Sequence, residues 1–393
     1  MNILLLTFYF EPDLCAGSFR NTALVEALSP KLKKNDHLDV VTTMPNRYST
    51  YKAEASEFEK YASNINIYRS ELPEHKSGFF DQINSFRAYY SSAIKQVKDK
   101  EYDLVIASSS RLFTAFLGAR VSSNKKAPLF LDMRDLFREN MQEIIKNPVI
   151  SYPLDIFLRF IEHYTFKRAD QINIVSEGFR DFFEKYEAPI SFYPNGIDDV
   201  FLENNFKKNT GNHSNRIITY AGNIGDGQGL HKVIPQTAKL LQDTDYEFRI
   251  IGDGGTRKLL KEELDDLKVS NVELIDPVDR DTLLKYYKET DYLFLHLNDY
   301  DAFKKVLPSK IFEYAATGKP IIAGVGGYAK EFLEKHVKGT LLFEPCNAAE
   351  LADELKKNTL SEEAVDRKGF NNKYARSSIM NELAENILES YRK

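Results

Sequence analysis

The sequence predicts an α/β chain of two doubly wound, Rossmann-like domains, on three observations. Short apolar runs alternate with segments of helical period from end to end. A polar, asparagine-rich stretch near the middle divides these runs into two sets of similar size. Each set opens with a strand that enters a glycine-bearing turn.

In order, the first set reads "ILLLTF", "HLDVVTT", "INIYR", "DLVIAS", "PLFLDM" and "INIVS". The second reads "RIITYAG", "EFRIIG", "VELI", "YLFLHL", "PIIAG" and "TLLF". Unbroken apolar runs of this length are strands covered on both faces, as in parallel sheets flanked by helices. Twelve of them are too many for one such sheet. The divide falls in "ENNFKKNTGNHS", Glu203 to Ser214, which has no period. It sets a first domain at 1–205 and a second at 206–375. The amphipathic segment "SSIMNELAENILESYRK" makes a C-terminal helix within 376–393, able to pack back on the first domain.

With 28% charged residues and a net charge of −5, the chain lacks the electrostatic footprint of a nucleic-acid binder. A small-molecule partner is expected instead. Cys15 and Cys346 stand far apart in no metal-ligand spacing, which fits a reducing, cytoplasmic compartment. The opening "MNILLLTFYFEP" has no positively charged flank and no small-residue cleavage site, so it reads as a first buried strand. No run of 18 apolar residues is present to span a membrane.

Ligands of doubly wound sheets sit beyond the carboxyl ends of the strands, so a cleft between two facing domains is the expected site. In "TFYFEPDLCAGSFRN", Gly17 allows close approach to the backbone, and Arg20 lies in the first turn of the following helix, both within reach of a phosphate or sugar. An ordinary strand-to-helix turn would look the same. In "LFLDMRDLFREN", Asp132 and Arg134 need partners because a buried charge is costly alone, and Asp135 emerges where a catalytic or positioning residue would sit. A structural ion pair is the alternative.

The turn "GNIGDGQGL" begins at Gly222 and includes Asn223 and Gln228. It fails the dinucleotide fingerprint, because Gly225 and Gly227 are followed by Leu230, yet its backbone can still cradle a phosphate. Gly252 opens a second glycine turn, "GDGGTRKLL", with Arg249 or Lys258 as phosphate neighbours. A structural turn fits there equally. In "VLPSKIFEYAATGKPIIAG", a helix of about two and a half turns opens at Pro308 and Ser309, with Ser309 as its cap and Gly318 as its stop. Ile311, Phe312 and Ala315 face a core, which leaves Ser309, Lys310 and Glu313 for an anionic ligand. Asp243-Thr244-Asp245 and Asp299-Tyr300-Asp301 are D-x-D patterns of the metal-holding type, but two carboxylates are a common coincidence among 58 acids, and no metal site is expected.

Together these segments resemble the retaining GT-B glycosyltransferases of family 4, in particular the bacterial O-antigen and capsular polysaccharide subgroup. Pro45-Asn46, "RDLF" from Arg134, the turn Gly222 to Leu230 and "PSKIFEYAATGKPII" from Pro308 carry the resemblance. It implies the GT-B fold and a nucleotide-diphosphate sugar donor, usually UDP-linked and here an N-acetylhexosamine for example, held by the second domain. It further implies retention of the anomeric configuration, no metal or other cofactor, and transfer to an acceptor on the first domain. The donor site would comprise Gly17, Arg20, Gly222, Asn223, Gln228, Gly252, Pro308, Ser309, Lys310 and Glu313, with Asp135, Lys310 and Glu313 in catalytic roles. The sequence departs from the family at Lys305, where the first glutamate of E-x7-E is expected, and at Asn223 and Gln228, near a family arginine and lysine. Phe137 and Arg138 replace the subgroup's Trp-Pro.

The acceptor implied is a polyprenyl-diphosphate-linked saccharide, which places the protein peripherally on the cytoplasmic face of the inner membrane. Two aromatic stripes bear on this: Phe79, Ile83, Phe86, Tyr90 and Ile94, and then Phe157, Phe160, Ile161 and Tyr164. Such stripes serve a core or a membrane surface. The rival readings are a sugar-nucleotide epimerase of GT-B fold and a non-catalytic sugar-nucleotide-binding partner subunit.

Overall fold

The computed structural model describes residues 1–46, 54–73, 79–109, 112–145, 147–206, 215–357 and 364–392. The chain forms two units, Met1–Asn195 with Arg376–Lys393, and Gly196–Ala375. The asparagine-rich stretch that composition marks as the divide lies inside the second unit, and its residues 207–214 fall outside the described ones.

The first unit begins with β1 (Asn2–Thr7), α1 (Ala16–Leu28), β2 (His37–Thr43), β3 (Phe58–Ala62), β4 (Ile65–Ser70), α2 (Phe79–Val97) and β5 (Leu104–Ser109). It continues through α3 (Leu112–Lys125), β6 (Leu129–Met133), α4 (Phe137–Ile144), α5 (Pro148–Arg168), β7 (Gln171–Ile174), α6 (Arg180–Phe183) and β8 (Ile190–Phe192). These strands make one sheet in the order β3-β4-β2-β1-β5-β6-β7-β8. All neighbours are parallel except β3, which runs antiparallel to β4. The order reverses at β1, between β2 and β5, so the loops after β1 and β5 diverge there and leave room for a ligand.

The second unit holds α7 (Asp199–Glu203), β9 (Arg216–Ala221), α8 (Leu230–Leu240), β10 (Tyr246–Ile251), α9 (Arg257–Asp266), β11 (Val272–Ile275) and α10 (Arg280–Glu289). After these come β12 (Tyr292–His296), α11 (Lys310–Ala316), β13 (Ile321–Gly324), α12 (Gly327–His336), β14 (Thr340–Phe343), α13 (Ala348–Lys356) and α14 (Lys368–Tyr374). Its six parallel strands are ordered β11-β10-β9-β12-β13-β14. One side of this sheet packs Ile218, Tyr220, Phe248, Tyr292 and Phe294 against Val233, Ile234, Leu260 and Leu351 of the covering helices. The last helix, α15 (Arg376–Tyr391), returns to the first unit. There it buries Ile379, Leu383 and Ile387 and packs against α1.

The two strands that periodicity does not show are both at an edge. β3, "FEKYA", has mostly exposed side chains, and β8 is three residues long. Neither is covered on both faces, so neither carries an apolar run.

The two aromatic stripes part ways. On α2, Phe86 packs on Phe113 and Tyr90 on Phe116 of α3, with ring centroids 5.2 and 6.5 Å apart, so these two are partly covered, whereas Ile83 is 39% exposed and the Phe79 side chain lies outside the described residues. On α5, Leu158, Ile161 and Phe166 are buried, whereas Phe157 and Phe160 are 51% and 69% exposed. Val149, Ile150, Tyr152 and Ile156 extend that apolar surface.

Candidate active site

In the second unit, the carboxyl ends of β9 and β10 meet backbone to backbone. Gly222 has φ +147° and Gly252 φ +141°, a region closed to most side chains, and a Cβ on Gly252 would fall on the Gly222 carbonyl. The amide of Gly222 donates to Ile251 O at 2.8 Å, and that of Ile224 to Asp253 O at 2.8 Å. Gly252 thus acts through Gly222: it lets the two turns close into one platform.

Lys310 lies on that platform. A Cβ on Gly222 would overlap its ammonium and stand 2.6 Å from its Cε, so a side chain at this position would push the lysine aside. The ammonium is 5.7 Å from the centre of the Tyr220 ring, and Tyr220 Oη donates to Asn223 O at 2.6 Å. Asn223 Nδ2 donates to Gln228 Oε1 at 2.8 Å, and that oxygen also accepts from Gly225 N–H at 3.3 Å. These two amides shape the turn and leave its charge to Lys310.

Helix α11 has seven residues, shorter than the two and a half turns expected. Ser309 does not fill the expected capping role, because its dihedrals are already helical and its side chain makes no cap bond. Pro308 starts the turn with its carbonyl, which accepts from Ile311 N–H at 3.1 Å. Ile311, Phe312 and Ala315 are buried as the pattern requires, and so is Tyr314, whose hydroxyl accepts from Ala221 N–H at 3.3 Å. That bond ties the helix to β9. Ser309, Lys310 and Glu313 remain partly exposed at one end of the element.

In the first unit, Arg20 does not serve as a phosphate ligand. It is 1% exposed, and its Nε and Nη2 bind the two carboxylate oxygens of Asp132 at 2.9 and 2.8 Å. Its remaining donors reach the carbonyls of Pro194 and Tyr193 at 2.8 and 2.9 Å. Asp132 also accepts from Ser108 Oγ at 2.9 Å and Asn173 Nδ2 at 2.7 Å. Burial works to raise the Asp132 pKa, but the charge and hydrogen bonds of Arg20 hold it below the usual carboxylate range. The structural reading of this pair is the one realised. Gly17 is also reassigned, because the space above its Cα is filled by the Arg134 guanidinium. Asp135 follows β6 at its carboxyl end and is partly exposed.

Residues 202–374 match the family Glycosyl transferases group 1. The match covers the whole sheet of the second unit, with the glycine platform, Lys310 and Glu313. A stretch of 115 residues, 29% of the chain, is 31% identical to the putative colanic acid biosynthesis glycosyl transferase WcaI of Escherichia coli K12 and spans 28% of that protein. Among solved structures, HepE of Anabaena in complex with UDP superposes with a TM-score of 0.67 at 14% identity, covering 99% of this chain and 100% of HepE. WaaG, a glycosyltransferase involved in lipopolysaccharide biosynthesis, gives 0.60 at 13% identity, covering 98% and 95%. The fold is GT-B.

Within the second unit of this GT-B chain, Arg249 pairs with Glu289 at 3.1 Å and lies against Tyr286, and Lys258 pairs with Glu262 at 3.6 Å. Within the first, Arg138 ties α4 to Glu162 and Asp155 of α5 at 2.6 and 2.9 Å. Among the described residues no group of three or more His, Cys, Asp or Glu is arranged to hold a metal.

One residue of the matched region gives no signal in the sequence: His296. It is fully buried, and its Nδ1 lies 2.6 Å from Gln228 O while its Nε2 accepts from Cys346 N–H at 2.9 Å. The carbonyl fixes the proton on Nδ1 and keeps the ring neutral, so the histidine staples the glycine turn to the loop after β14. Burial pushes its pKa down to about 4. The unfolded chain takes up a proton near pH 6.5 while the native ring refuses it, so the neutral ring's contribution is whole above 6.5 and lost as pH falls to 4. The loss should be roughly 3 kcal/mol, and His296→Gln should flatten the slope of melting temperature against pH across that window.

Proposed function

We propose that this protein is a retaining glycosyltransferase that moves a sugar from a UDP-linked donor to a lipid-linked saccharide in surface polysaccharide synthesis. The observation that carries the reading is Lys310 seated against Gly222 at the carboxyl edge of the second sheet. A donor diphosphate brings two negative charges to that edge. Lys310 and the platform amides would answer them, and Glu313, one turn along α11, would accept from ribose hydroxyls. The helix is too short to supply much dipole, so the lysine bears most of the charge.

In this reading the bond between the anomeric carbon and the diphosphate oxygen breaks as the acceptor oxygen bonds to that carbon on the same face. The acceptor's proton passes to the departing diphosphate oxygen. Charge on the leaving group grows toward the transition state, so a lysine already in place lowers the barrier. Asp135 would orient the acceptor hydroxyl or the donor sugar. Calorimetric titration with a panel of UDP-sugars, with and without EDTA, tests the donor site. Binding should survive EDTA and fall at least about tenfold in Glu313→Ala, the loss expected for hydrogen bonds to a charged group; binding indifferent to Glu313 would refute the assignment.

The exposed apolar surface of α5 supports a peripheral contact with the cytoplasmic face of the membrane. Arg159, 69% exposed, and Lys167 lie on the same helix, in reach of anionic headgroups. Flotation with anionic vesicles should retain the wild type and lose Phe160→Glu, and equal partition of the two would argue against this contact. An epimerase reading finds no support in the histidine of the platform, since both ring nitrogens of His296 are already engaged.

A further inference from the structure

Arg367 is a buried cation of the second unit that bonds to carbonyls. It is 5% exposed, and its Nε and Nη2 donate to Lys338 O at 2.9 and 2.6 Å. Nη1 donates to Lys319 O at 2.9 Å and to Ala315 O at 3.2 Å, and Nη2 also reaches Gly339 O at 3.4 Å. No carboxylate is among these partners, and burial pushes the guanidinium pKa down to about 10. Carbonyl dipoles offset the cost of burying the charge, so the side chain is satisfied while the segments that carry them keep their places.

Those segments meet at the amino edge of the sheet. Ala315 is in the last turn of α11, Lys319 leads into β13, and Lys338 and Gly339 lead into β14. Val365 closes the same junction: its N–H donates to Gly318 O at 2.8 Å, and a Cβ on Gly339, where φ is +68°, would overlap its Cγ2. Arg367 O then accepts from Asn371 N–H at 2.9 Å as α14 begins, and Phe370 and Tyr374 of α14 lie on Phe312 of α11 with ring centroids 6.1 and 5.4 Å apart. Residues 365–374 therefore hold α11 at its carboxyl end and along one side.

Lys310 stands at the other end of that helix. Seven residues make a rod of about 10 Å, too short to keep its place unaided. The Tyr314 bond to Ala221 fixes its middle and Arg367 its end. A slip at the carboxyl end is carried to Lys310, whose ammonium fills the space beside Gly222. We propose that Arg367 is a positioning residue: from the amino edge of the second sheet it fixes where α11 lies and so keeps Lys310 seated on the platform. The effect on donor binding rests on the reading of Lys310 as a diphosphate ligand; the seat against Gly222 does not.

Amine labelling with a succinimidyl ester, read peptide by peptide in a mass spectrometer, tests the seat. In Arg367→Lys, which keeps the charge without the fork, Lys310 should label faster relative to the other lysines of the second unit than it does in the wild type. Arg367→Gln, which buries no charge, is the second variant and should show the same change. Tyr246→Phe gives up the Tyr246 Oη bond to Leu355 O at 3.0 Å, on α13, and should melt lower yet leave Lys310 at its wild-type rate. Unchanged or slower labelling of Lys310 in a folded Arg367 variant, or equal acceleration in Tyr246→Phe, overturns the proposal. Calorimetry below the melting temperature of each variant then reads the consequence. UDP affinity should fall by about threefold to a hundredfold in Arg367→Lys, the range for residues that act together, and by no further factor once Lys310→Ala is in place. An equal fall in both backgrounds shows that Arg367 acts other than through Lys310 and also overturns the proposal. UDP binding indifferent to Lys310→Ala alone would sink the donor reading and leave the labelling result standing.

Discussion

Arg20→Leu should destabilise the first unit by about 3–5 kcal/mol, the cost of leaving one partner of a buried ion pair alone. Asp132 would lose both its strongest bonds, and the carbonyls of Tyr193 and Pro194 would lose their donor. The Asp132 pKa would then move up, since burial raises it and the largest opposing influence, Arg20, is gone. The chain has no tryptophan, so the loss is best read by hydrogen exchange across β5 and β6. The double variant Arg20→Leu with Asp132→Leu should recover much of the stability, because it removes both charges together. If Arg20→Leu melts within 1 kcal/mol of the wild type (about the median effect of a substitution), the pair does not hold the sheet edge as described.

Lys310→Ala should lower kcat/KM for sugar transfer by about a hundredfold to a thousandfold, the range for removing one preorganised group from a developing oxyanion. Most of the loss should be in kcat if the lysine acts on leaving-group charge, and in KM if it only grips the donor. Lys310→Arg should not restore activity, because the space beside Gly222 is filled by a single ammonium and its last methylene, and a planar fork is wider. Gly222→Ala should resemble Lys310→Ala, since the new methyl would both displace the ammonium and strain the backbone at φ +147°. Full activity in either Lys310 variant would remove the lysine from the mechanism.

The strands buried on both faces were legible because burial on two sides leaves an apolar run, and the edge strands β3 and β8 were not because an edge leaves none. Helix α11 was legible from its capping residues and its buried face, yet its length was not, since Ser309 is already helical. At the candidate site, residues adjacent in sequence kept their expected neighbours: Lys310 and Glu313 share α11, and Gly222, Asn223 and Gln228 share one turn. What the sequence hid were pairings across the sheet. Arg20 meets Asp132 from 112 residues away, and His296 meets Gln228 from 68. No local pattern announces which of two arginines a buried aspartate will choose. Arg20 took it.

The chain crosses between its two units at residues 195–196 and again at 375–376. Within the second unit the two ends lie side by side, Ile197 N–H donating to Tyr374 O at 2.7 Å, and Ile197 pairs with Ala375 as an isolated bridge. Within the first unit, Arg376 Nε donates to Asn195 O at 3.1 Å, so its two cut ends are neighbours as well. Residues 196–375 are therefore a cassette with a single doorway. A recombination event could exchange the whole block without opening a strand or helix of its host.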